Sequence, residues 1–140
     1  MNFKVRSKGT IMPAMSFPWL EFACVAGGGA VGSLARYGVG VWLGQQQQMF
    51  PWSTLVVNVV GCFLIGVAGG ILPPLPEWAR LLAVTGFLGG LTTFSSFGYE
   101  TMREVDAHGV EWGLANIGAN MVLGLGAVWL GLTIVRGVTS

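Results

Sequence analysis

Four apolar segments, each long enough to cross a lipid bilayer, fill most of this chain and leave only short linkers between them. A spanning helix needs about 20 mostly apolar residues, and the segments run over 19–44, 52–72, 78–102 and 112–135. The connecting stretches read "QQQQMFP", "PPLPE" and "REVDAHGVE". Trp19, Trp42, Trp52, Trp78, Trp112 and Trp129 fall mostly near segment ends, where indole rings anchor helices at the interface. Only 9% of the 140 residues are charged, against about 25% in a soluble domain. That is too little charge to coat a water-facing surface. The sequence therefore predicts an all-α integral membrane protein: one four-span domain over 19–136, preceded by an N-terminal extension, 1–18.

Composition also excludes several function classes. The formal net charge is +1 with no dense basic cluster, so nucleic acid is not an expected partner. Cys24 and Cys62 lie in apolar runs without a CxxC or a Cys/His cluster, which argues against a disulfide or metal framework. No nucleophile–base pair, phosphate loop or dinucleotide signature is present, so catalysis is not expected. His108, the single histidine, reads as a solvated residue of the third loop. The 23 glycines exceed twice the usual ~7% share. GxxxG spacings at Gly28/Gly32, Gly66/Gly70 and Gly86/Gly90 offer flat faces for helix packing and, in so small a chain, favour a homodimer.

With four spans, Lys4, Arg6, Lys8, Arg80 and Arg136 share one side of the membrane and Arg103 stands alone on the other. That bias places both termini in the cytoplasm. Translation from Met12 or Met15 would leave only Arg80 and Arg136 against Arg103, a weak bias compatible with insertion both ways.

Polar groups inside the spans are the functional candidates, because hydrocarbon tolerates them only when they are paired or line a cavity. Arg36 lies deep in the first span and Asn58 in the second. Arg36 either snorkels to the interface or acts as a buried cation; Asn58 either bonds a neighbouring helix or lines a pathway. The third span carries "GFLGGLTTFSSFGYE", and its glycines and β-branched threonines disfavour a continuous helix. A break is expected near Gly89–Thr93, with freed carbonyls able to hold a cation and freed N–H groups able to face an anion. Phe94 and Phe97, spaced i, i+3, share a face, and ring edges carry partial positive charge. Asn116 and Asn120, spaced i, i+4 in the fourth span, read as a wet or partner-facing surface.

"GFLGGLTTFSSF" with its following Glu, "TLVVNVVGCFLIG" and "GGGAVGSLARYGVG" together resemble the Fluc/CrcB family of fluoride channels, in the same four-span order from about residue 20 to 135. The resemblance implies a third helix broken near mid-membrane and an antiparallel, dual-topology homodimer in the bacterial inner membrane. It implies passive fluoride export, giving fluoride resistance. Phe94, Phe97 and Asn58 match pore positions. Thr93, Ser95 and Ser96 would extend a hydroxyl lining, and Glu100 matches a vestibule carboxylate. Gly89 and Thr92 match positions whose carbonyls hold a structural sodium ion, and Arg36 matches the first-span arginine. Asn120 stands where relatives often place a pore-facing serine, and Asn116 where an aromatic is common. Two other classes compete: a four-span proton-coupled multidrug exporter, with Glu21 as its only candidate carboxylate, and a non-transporting membrane scaffold.

Overall fold

The structure, a computed structural model, describes residues 18–44, 50–71 and 75–139, all of whose regular structure is helical. Helix α1 spans Trp19–Trp42 and α2 spans Trp52–Gly70. The third unit is composite: α3 (Glu77–Arg80) runs into a π-helical segment (Leu81–Leu88) and then α4 (Gly89–Leu91). After a break the chain resumes as α5 (Phe94–His108), and α6 (Val110–Thr139) follows. Pro18, Pro51 and Pro76 each precede a helix, a place where a missing N–H breaks no ladder. The N-terminal basic residues, Met12, Met15 and the glutamine run lie outside the described residues.

Trp52–Gly70, Glu77–His108 and Val110–Val138 are long and apolar enough to cross a membrane. At 24 residues α1 has the length, about 36 Å at 1.5 Å per residue, but Glu21, Arg36 and its glycines make it less apolar. The distribution of polarity suits lipid. Large apolar side chains such as Leu34, Val122, Leu125 and Trp129 point outward, whereas the largest fully buried side chains are Glu104 and Asn116. The chain is a multi-pass membrane protein.

Close glycine contacts set the helix pairing. A Cβ on Gly28 would meet the Leu82 carbonyl, and one on Gly32 the Phe87 carbonyl. Reciprocally, Gly86 lies against the Val25 carbonyl and Gly90 against the Gly29 carbonyl. Thus α1 packs backbone to backbone on the π segment and α4. Likewise Gly66 faces the Val128 carbonyl and Gly131 the Phe63 carbonyl, locking α2 to α6. The GxxxG pairs are therefore consumed within one chain and are not evidence for a dimer. A small apolar core of Val57, Leu88 and Leu91 joins the two helix pairs.

Two further expectations are corrected. The third connection is not a nine-residue loop: α5 continues to His108, and Gly109 alone, at φ 105°, turns the chain into α6. His108 is consequently not a solvated loop residue. It bonds the buried Glu104 through Nδ1 at 2.8 Å and packs on Trp112.

Gly32→Leu should push α1 off α4, because overpacking a tight contact costs about 1–3 kcal/mol or more, and lower the Tm of the purified protein. Gly38→Ala, whose Cβ meets nothing within 4 Å, should preserve or raise Tm, since alanine gains roughly 0.5–1 kcal/mol over glycine in a helix. Equal Tm values for the two variants would contradict this packing account.

Candidate functional site

The helix break falls at Thr92 (φ −84°, ψ 155°) and Thr93 (φ −152°, ψ 121°). The glycines expected to supply the break do not: Gly89 keeps helical angles and Gly89–Leu91 forms α4. Thr92 still closes the upstream helix, donating both its N–H and its hydroxyl to the Leu88 carbonyl. Its methyl fits where a Cβ on Gly61 of α2 would stand. Thr93 opens the next helix: its Oγ1 accepts from the Ser96 N–H at 3.2 Å and contacts both serine hydroxyls, a hydroxyl N-cap.

Asn58 bridges the gap. Its Oδ1 accepts the Thr93 N–H at 3.0 Å, and its Nδ2 reaches the Thr93 carbonyl at 3.4 Å. The same Nδ2 donates to Asn120 Oδ1 at 3.2 Å. A continuous helix would have given the Thr93 N–H to the Gly89 carbonyl. The side chain of one helix thus replaces a backbone partner in another.

Phe94 and Phe97 stand in the first turn of α5, with ring centroids 5.6 Å apart and planes tilted by 52°. They share a face, yet their surroundings differ: Phe97 is 8% exposed and Phe94 80%. A groove of about 440 Å³ open to the outside holds both rings together with Asn58, Thr92, Thr93 and Asn120. No acidic residue stands in the first turn of α5, so the positive end of its dipole meets no fixed negative charge there.

Arg36 lies apart from this groove. It lines a second cavity, of about 250 Å³, with Ser53, Thr54 and Ser96, and no carboxylate pairs with it among the described residues. Ser53 Oγ in the same cavity is buried without a hydrogen-bond partner. Ser96 lines this second cavity and is bonded to Thr93 of the groove, whereas Ser95 is exposed. Glu100 is buried on α5, one turn beyond Phe97.

Asn116 does not belong to a wet or partner-facing surface, and Asn120 reaches the groove only at its edge. They are 1% and 7% exposed and bond to each other, to Asn58 and to Thr101. Two further polar residues, Thr101 and Glu104, carry no sequence expectation, and His108 beside them was read as a loop residue. Together with Phe97 they recur at helical spacing along one face of α5, and that periodicity was the available signal.

Residues 23–132 match the family model described as CrcB-like protein, Camphor Resistance (CrcB). The chain belongs to the CrcB-like family. Among relatives, a fluoride-specific ion channel FluC of Acidobacterium capsulatum is 43% identical over 120 residues, covering 82% of this chain and 95% of that one. A second FluC, of Solibacter usitatus, is 46% identical over 122 residues, covering 84% and 99%. A third, of Bordetella petrii, is 44% identical over 116 residues, covering 81% and 89%. The match to the CrcB-like family takes in α2 and the whole broken helix, and so every residue of the groove.

Thr93→Val keeps the side-chain shape but removes the cap, and should lower stability by about 1 kcal/mol, read as a reduced Tm of the purified protein. Thr93→Ser should retain most of it; equal losses in both variants would contradict the capping role.

Proposed function

We propose that this chain forms a fluoride-selective passive channel in the bacterial inner membrane, with all four helical units spanning and two subunits packed antiparallel. The observation that carries the reading is the break itself. Asn58 satisfies the opened Thr93 peptide while Phe94 and Phe97 flank a groove at the restarting helix. Ring edges, hydroxyls and amides offer a dehydrated anion partial positive charge, without a fixed cation that would trap it. Asn58, Thr93, Ser95, Ser96, Phe94 and Phe97 are the proposed pore positions, with Asn120 at the lining and Glu100 beyond it. Arg36, among hydroxyl donors in the adjoining cavity, would raise the local anion concentration at the entrance. The relatives named fluoride-specific channels support the choice of ion.

An antiparallel second subunit would supply the missing wall of the site. Phe94 is 80% exposed beside an open groove, so one chain alone leaves the pathway unwalled. The break also fits a structural sodium ion. The Gly89 carbonyl loses the donor that a continued helix would supply, and the Gly89 Cα faces open space. Carbonyl oxygens are suitable donors for a hard cation, and those of Gly89 and Thr92 from both subunits would hold it at the dimer centre. Glu21 is exposed in the first turn of α1, a poor position for the exchange carboxylate of a proton-coupled exporter.

Phe97→Ile and Phe94→Ile should leave the protein folded and slow fluoride efflux from liposomes by about tenfold or more, equivalent to at least ~1.4 kcal/mol in the barrier. Asn58→Asp should slow it as well, by setting a negative charge beside the anion route. Undiminished flux in the double phenylalanine variant would reject the ring-edge role.

A further inference from the structure

The hydrogen bonds around Asn58 form a closed circuit with a fixed direction. Thr101 on α5 donates its hydroxyl to the Phe97 carbonyl at 2.7 Å, so its oxygen receives Asn116 Nδ2 at 2.8 Å. With Nδ2 turned to Thr101, Asn116 presents Oδ1 to Asn120. Asn120 Nδ2 donates to that oxygen at 3.0 Å and to the Asn116 backbone carbonyl at 3.1 Å. Both Asn120 hydrogens are then engaged, and its Oδ1 faces Asn58 Nδ2. Asn58 is left with Oδ1 toward the Thr93 N–H. The circuit begins at the Phe97 carbonyl in the first turn of α5 and ends at the N–H of its capping residue Thr93, after crossing α6 and α2.

Amide orientation is decided by such networks, because a flipped group sets donor against donor. Turning Asn120 over would place its oxygen against two Asn116 oxygens and its NH₂ against that of Asn58. Asn116, on which the flipped oxygen would fall, is 1% exposed, so water cannot relieve the mismatch on that side.

We propose that Thr101 and Asn116 are positioning residues for ion passage: they fix the amide of Asn120, which fixes the amide of Asn58 and the first turn of α5. The role rests on the pore reading of Asn58. One Asn58 hydrogen is pinned to Asn120. The other, on the long 3.4 Å contact to the Thr93 carbonyl, is the one a passing anion takes. Asn120 presents an oxygen toward Asn58 and acts on the anion through it.

The test uses the full chain with ¹⁵N-labelled asparagine, comparing Thr101→Val, Thr101→Ser and Asn116→Leu. Two readouts are taken: the Asn58 side-chain NH₂ resonances, assigned by their loss in Asn58→Leu, and fluoride efflux from liposomes. Thr101→Val should shift those resonances, speed their exchange with water and slow efflux about tenfold, with Thr101→Ser restoring both. Asn116→Leu should do the same, and Thr101→Val added to it should slow efflux little further, as for groups that act as a unit. Unchanged Asn58 resonances in both Thr101→Val and Asn116→Leu would overturn the proposal. So would shifted resonances with full flux, or a flux loss that Thr101→Ser fails to restore. Full fluoride flux in Asn58→Leu would instead defeat the pore reading, and with it the transport role of the circuit, while its structure would still be judged by the resonances.

Discussion

Opening a helix within an apolar span exposes backbone groups that lipid cannot satisfy, and each buried group left unpaired costs about 1–3 kcal/mol. Asn58 resolves this at Thr93 by engaging both the N–H and the carbonyl of the opened peptide. Much of the remaining architecture follows from that exchange. The Thr92 methyl needs the space left by Gly61; Thr93 becomes free to cap α5; and Phe94 and Phe97 are set at the start of a helix. Without the amide, the Thr93 N–H and carbonyl would lose this side-chain partner.

Close packing and polarity are divided between different helix pairs. Backbone contact at glycines joins α1 to the π segment and α2 to α6. Hydrogen bonding through Asn58, Asn116, Asn120 and Thr101 joins α2, α5 and α6 around the break. Glycine contacts supply dispersion and need no polar group, while the amides supply direction at one point only. The result is an interior more polar than the lipid-facing exterior, as expected where hydrocarbon is the solvent.

Much of this was legible in the sequence because lipid imposes a strict length and hydropathy rule. The helical units, the interruption before Phe94 and the candidacy of Asn58 as a buried polar group follow from residue type and depth. Exact boundaries were less legible. "REVDAHG" is polar enough to read as a loop, yet Glu104 and His108 bond each other one turn apart and α6 restarts at once, so helix persists. Glycine at 89 and 90 suggested the break, but helical glycines there serve close approach to α1 at Gly90, and the extended residues are the threonines. Partner choice was illegible for a similar reason: a GxxxG pair shows a flat face without showing which helix covers it. The amide circuit could not be read from spacing alone, because its members come from three helices.

The proposed path along the broken, amide-clamped helix should pass fluoride and reject larger anions. The most direct measurement is simultaneous fluoride and chloride efflux from liposomes carrying the purified chain, with potassium permeability supplied to balance charge. Fluoride should leave rapidly and passively while chloride is retained. Chloride leaving as fast as fluoride, or no fluoride efflux from a correctly folded protein, would rule out a fluoride-selective path along this helix.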